Sequence, residues 1–109
     1  MVTKPRWYSL YDVLKAINEG THAPITYEQT SQILYVKDGK PAARRHLGGM
    51  LRKVYDKCLA DGTPDLTTMV VKYHTRQPGS SWPGWAAGVD PEEERRRAHE
   101  YFRVQRFGK

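Results

Sequence analysis

Apolar residues recur at a helical period most clearly between Pro41 and Leu59, PAARRHLGGMLRKVYDKCL. At 3.6 residues per turn, Leu47, Met50, Leu51, Val54, Cys58 and, at the margin, Tyr55 share one side, while Arg45, Gly49, Arg52, Lys53 and Asp56 share the other. The pattern predicts the longest helix of the chain, able to bury one face and offer the other. Gly48 and Gly49 interrupt it, and a glycine inside a helix costs roughly 1 kcal/mol relative to alanine. Two compensations are open: a tight helix crossing, or the close approach of a partner's backbone, with an arginine on each side to hold it. Phosphate suits the second arrangement best.

The remaining elements follow in chain order. Ser9 is positioned to cap a helix running to about Glu19, with Leu10, Val13, Leu14 and Ile17 as its buried stripe and Gly20 as its stop. The lead before it holds Lys4, Arg6, Trp7 and Tyr8, whose aromatic rings pack on the body more readily than they serve a nucleic-acid arm. Ile25 can act as a staple ahead of Thr26, which with Gln29 forms a capping box for a short second helix, TYEQTSQIL. The D-G pair in YVKDGK then reads as a turn before the long helix begins at Pro41 and runs to Asp61 and Gly62. Short helix, turn and longer helix is the order of a helix-turn-helix unit.

Leu66 to Tyr73 is rich in β-branched residues and reads as a strand, and Thr75 to Val89 as a long loop that Trp82 and Trp85 pin to the body. Stacking on bases is the alternative use of those two rings. Asp90, Pro91, Glu92 and Glu93 start a final helix to about Arg103, in which Arg95 to Arg97 form a solvated basic face and Ala98, Tyr101 and Phe102 the buried side. Val104 and Phe107 then read as a short terminal strand beside the first one.

A chain of 109 residues has the length of one domain, residues 1–109, with a modest core. Its formal net charge of +6 and pI near 9.6 favour a polyanion such as nucleic acid over an acidic protein partner. Cys58 is the only cysteine and sits at a core position, so no internal disulfide can form and a cytoplasmic location is expected. MVTKPRWYSL holds no apolar run of signal-peptide length and nothing later approaches a membrane span, so no membrane contact is expected. The four histidines His22, His46, His74 and His99 are scattered, which argues against a metal, and neither a phosphate-binding glycine loop nor a G-x-S-x-G elbow is present. No cofactor is expected, and an enzyme is the weaker class.

Two pieces of the chain, TYEQTSQIL and ARRHLGGMLR, resemble the TYG/SYQQ helix start and the A-A-R-A-V-G-G-A-M-R recognition helix of the O6-alkylguanine-DNA alkyltransferases and alkyltransferase-like proteins. The likeness covers Ile25 to Arg52, about a quarter of the chain, and implies the winged-helix DNA-binding domain of that family. Aligning the paired glycines places Arg45 where the family has the arginine that fills the stack when a base is flipped out. Tyr27 matches the tyrosine that rotates the target phosphate, and Gly48, Gly49 and Arg52 match the small, basic surface that lies in the minor groove. The family continues with P-C-H-R, or P-W-H-R in its non-enzymatic relatives, whereas this chain has LTTMVVKYHTR. The resemblance therefore implies a DNA-facing frame without alkyl transfer. The strand, Pro-Gly loop and acidic-start helix also look like small winged-helix modules of mobile-element and restriction contexts.

The expectation is thus an α+β domain of winged helix-turn-helix type, mostly helical with a short sheet, that binds double-stranded DNA without catalysis. Arg44, Arg45, Arg52 and Lys53 would hold phosphates and groove around Gly48 and Gly49, Tyr27 and Thr30 the backbone, and Lys72, His74 and Arg76 the wing contacts. The rival is a protein-binding inhibitor or adaptor of phage or mobile-element type that uses the basic face and is anchored by Trp82 and Trp85, since tryptophan and arginine are common interface anchors.

Overall fold

A computed structural model describes residues 5–40 and 42–108. The first helix, α1 (Arg6–Gly20), starts before Ser9, because Pro5 in extended conformation already accepts the amides of Tyr8 and Ser9 at 2.9 and 3.4 Å. Ser9 is therefore interior to the helix. Lys4 and Pro41 lie outside the described residues, so a basic arm at the N-terminus is not addressed by the structure; the expected start of the long helix at Pro41 is corrected, because Ala42 and Ala43 are not helical and the helix begins at Arg44.

Strand β1 (Ile25–Thr26) leads directly into α2 (Tyr27–Asp38), and the capping box forms as predicted: Gln29 N donates to Thr26 Oγ1 at 3.1 Å, and Thr26 N donates to Gln29 Oε1 at 2.9 Å. The helix runs a turn beyond Leu34 because no breaker precedes Gly39, whose φ of 73° supplies the left-handed cap. The D-G pair is thus the end of α2. Ser31 Oγ donates to Ala42 O at 2.7 Å and Arg6 pairs with Asp38 at 3.2 Å, which fastens the connection to α2 and α1.

The long helix is α3 (Arg44–Asp61), closed by Gly62 at φ 70°. Leu47, Leu51, Val54 and Cys58 are buried, Met50 and Tyr55 are half-buried, and Arg45, Gly49, Arg52, Lys53 and Asp56 are exposed, as the periodicity requires.

The predicted strand over Leu66–Tyr73 is mostly something else. Leu66–Met69 is a 3₁₀ turn, and only Val70–Val71 forms a strand, β2, paired in parallel with β1 in the register Ile25 to Val70 and Thr26 to Val71. Side-chain chemistry explains the difference. Asp65 Oδ1 accepts both Thr67 N and Thr67 Oγ1, at 2.9 and 2.6 Å, and Thr68 Oγ1 donates to Asp65 O at 2.8 Å. These local bonds offer the backbone an alternative to a sheet ladder.

Residues 83–86 make a single helical turn, α4 (Pro83–Ala86), inside the predicted loop. The last helix, α5 (Pro91–Phe107), is capped by Asp90, which accepts Glu92 N at 3.0 Å. It absorbs the predicted terminal strand, since nothing between Arg103 and Gly108 breaks a helix. Arg95 also departs from expectation: it is 6 % exposed and donates to Thr68 O at 2.7 Å, tying α5 to the 3₁₀ turn, while Arg96 and Arg97 remain outside in pairs with Glu93, Glu100 and Glu94.

The result is a small, mainly helical α+β unit with a two-stranded parallel sheet. Its core gathers Leu10 and Leu14 of α1, Leu47 and Val54 of α3, Met69, and Phe102 of α5. Among the described residues, no helix is long and apolar enough to cross a membrane.

Candidate nucleic-acid interface

The outer face of α3 is built by subtraction. Gly48 and Gly49 are both exposed, and a Cβ added at either would meet no atom within 4 Å. Of the two compensations left open by the sequence, a tight helix crossing at these glycines is not found, because among the described residues no atom of another element lies within 4 Å of a Cβ placed at either. Arg45 and Arg52 lie seven residues apart, roughly 10 Å along the axis, with the bare backbone between them. Arg52 Nε contacts Asp56 Oδ1 at 3.2 Å, and its guanidinium lies 5.9 Å from the Tyr55 ring centroid. An exposed pair of this kind is worth about 0.3–0.5 kcal/mol, so a phosphate can compete for the arginine. Among the described residues, no ion pair involves Arg45 or Lys53, both exposed. Arg44 opens the helix, and its side chain lies outside the described residues.

Beside this face is a cleft of about 170 Å³, bordered by Tyr27, Gly48, Arg52, Tyr55, Thr67 and Trp82. Tyr27 is half-buried at the first position of α2, and its hydroxyl lies so close to Gly79 that a Cβ there would sit 2.7 Å from it. The tyrosine thus stands between α3 and the loop that follows the sheet. Thr30 does not join it. That residue is 0 % exposed and its hydroxyl donates to Thr26 O at 2.8 Å, so it is a core residue of α2 and leaves the candidate surface.

Lys72, His74 and Arg76 sit on a short reversal rather than on a strand hairpin. Lys72 N donates to Gln77 O and Arg76 N donates to Lys72 O, each at 2.9 Å, and Arg76 takes a left-handed φ of 57°. His74 and Arg76 are exposed and Lys72 is half-buried. A second cleft, of about 360 Å³, lies between this reversal and the start of α2, bordered by Thr26, Tyr27, Glu28, Gln29, Tyr73 and Arg76. Tyr27 borders both clefts, so the cleft beside α3 and the one beside the 72–77 reversal adjoin at this residue.

The two tryptophans separate in role. Trp82 is 7 % exposed, and its indole N–H donates to Asp65 Oδ2 at 2.8 Å, which makes it a pin for the loop and removes it as a partner anchor. Trp85 packs edge-on against it at 5.1 Å, donates to Gly79 O at 2.9 Å and stays 41 % exposed. Asp65 is the hub of this region. Burial raises its pKa, against the lowering effect of its hydrogen bonds from Thr67 and Trp82. Burial likewise raises the Cys58 thiol, as befits a 1 % exposed core residue and not a nucleophile.

The sequence reading missed Tyr73, 73 % exposed at the tip of the reversal, because it fell at the end of an apparent strand. It also missed Asp65, for which the spacing Asp-Leu-Thr-Thr after Pro64 is the signal: an acceptor followed two residues later by a hydroxyl marks an Asx-type turn. No group of three or more His, Cys, Asp or Glu side chains that could hold a metal occurs among the described residues. In comparison with known proteins, no family model, curated protein or solved structure matches this chain.

Proposed function

We propose that this chain is a non-catalytic DNA-binding domain of winged helix-turn-helix type, with α2 and α3 as the helix-turn-helix pair, α3 as the helix against the DNA and the 72–77 reversal in the place of a wing. The observation that carries the reading is the glycine pair. Two helix-interior glycines with nothing packed against them cost stability for no gain inside the fold, and they bare the backbone between two exposed arginines. Phosphate contacts from Arg45, Arg52 and Lys53 would position a duplex there, and Arg76 and Lys72 would hold the strand on the far side of Tyr27. The likeness of Ile25–Arg52 to the alkyltransferase-like frame supports the same orientation, with the Tyr27 cleft beside the helix. The protein-partner reading keeps only Trp85 of its two anchors.

Salt-dependent titration tests the proposal. With a short labelled duplex, Arg45→Ala and Arg52→Ala should each weaken binding and reduce the slope of log K against log salt by about 0.9. Unchanged slopes in both variants would remove α3 from the interface.

A further inference from the structure

We infer that the DNA taken by this face carries unpaired nucleotides next to the duplex, and that Tyr73 is the residue that stacks on the first of them; the inference rests on the DNA-binding reading above. Tyr73 is a large aromatic side chain left 73 % exposed, touched edge-on by His74 at 5.2 Å. Its backbone is not a loose loop. The bonds from Lys72 N to Gln77 O and from Arg76 N to Lys72 O close the reversal, buried Val71 and Pro78 anchor its two ends, and Arg76 is held in a left-handed conformation that a non-glycine residue adopts only under constraint. A ring presented from a fixed reversal loses little conformational entropy when something stacks on it.

Position and charge then select the ligand. Tyr73 shares its cleft with Tyr27, and Tyr27 also borders the cleft of Gly48 and Arg52, so a strand leaving a duplex on α3 passes Tyr27 and reaches Tyr73. Arg76 borders the same cleft and Lys72 precedes Tyr73 in sequence, so both cations are available for phosphates near the ring, set against the single acid of the cleft, Glu28. An aromatic platform between cations is the arrangement that holds unpaired nucleotides, since every base has a π face to stack. A fully paired duplex offers side chains only base edges and phosphates, and leaves such a ring unused.

The test uses the whole chain and three fluorescent DNA probes: a blunt duplex, the same duplex with a six-nucleotide single-stranded extension, and the extension strand alone, titrated at one ionic strength. The extended duplex is expected to bind about tenfold more tightly than the blunt one. Tyr73→Ala should abolish that difference while leaving the blunt duplex unchanged, and Tyr73→Phe should retain it. Both substitutions fall on an exposed ring, and a matching melting temperature shows that the fold is intact. Equal binding of blunt and extended duplexes with Arg52 still required overturns this inference alone. Equal weakening of every probe by Tyr73→Ala also overturns it, because the ring then serves the duplex. Failure of all three probes to bind overturns the DNA-binding reading and this inference together.

Discussion

Gly49→Ala separates a structural glycine from a functional one by the sign of a stability change. The added methyl would project into open space, with nothing within 4 Å, so the overpacking cost expected at a helix crossing does not arise. What remains is the intrinsic helix preference for alanine over glycine, about 0.8–1.0 kcal/mol in a helix interior. For a domain near this size, 1 kcal/mol raises the melting temperature by about 4–8 °C. The same methyl stands on the face between Arg45 and Arg52, where it would hold a DNA backbone away from the helix. Thermal unfolding followed by circular dichroism, paired with duplex titration, should therefore show a variant that melts higher and binds more weakly. A lower melting temperature with undiminished binding would refute the reasoning at both steps, since it would mean that the helix is packed where the structure leaves it open and that nothing docks there.

Three further outcomes follow from the Asp65 region and the core. Trp82→Phe removes a hydrogen bond to a buried carboxylate and should cost about 1.5–3 kcal/mol in urea unfolding, whereas Trp85→Phe should cost less than about 1 kcal/mol; equal losses would place both rings in the same role. Because burial raises the Asp65 pKa, the folded state holds that proton more tightly than the unfolded chain, so the stability it contributes is full below the ordinary aspartate range and is lost as pH rises through the raised value. Unfolding of the parent and Asp65→Asn between about pH 3 and 7 should show the parent losing ground to the variant as pH rises, and parallel curves would refute it. Cys58 should react slowly with a thiol probe in the folded chain and fast in denaturant; rapid labelling of the native protein would show α3 turned about its axis.

Most helix signals were legible because they are local. The Thr26–Gln29 capping box, the Asp90–Pro91 start and Gly62 mark ends through bonds between near neighbours, and the α3 stripe assigns its two faces by period alone, whereas Gly39 reads as part of a separate turn and Ser9 as a cap, and neither is so. The stretch after Gly62 was not legible in the same way. Thr67, Thr68, Val70 and Val71 share a β-branched shape, yet the threonine hydroxyls turn back onto Asp65 while the valines find β1 some 45 residues earlier in register. Propensity sees the shared shape and not the competing acceptor. Thr30 shows the complementary error. A hydroxyl on a helix near a basic face looks available until burial at 0 % and its bond to Thr26 O remove it.

The glycine pair also bears on how stability is distributed across the molecule. Two interior glycines in one helix forgo about 2 kcal/mol, a large fraction of the roughly 5–15 kcal/mol by which a domain is stable. The opposite side of α3 offsets this through Leu47, Val54 and Cys58, each at most 1 % exposed, while Leu51 closes the edge nearest the cleft. The core thus fixes the rotation of the helix without help from the glycine face. That face is free to be smooth, and on the DNA-binding reading proposed above a smooth backbone flanked by Arg45 and Arg52 is what lets a duplex approach closely. On that reading, a strand leaving the duplex would pass Tyr27, which borders both clefts, on its way to Tyr73.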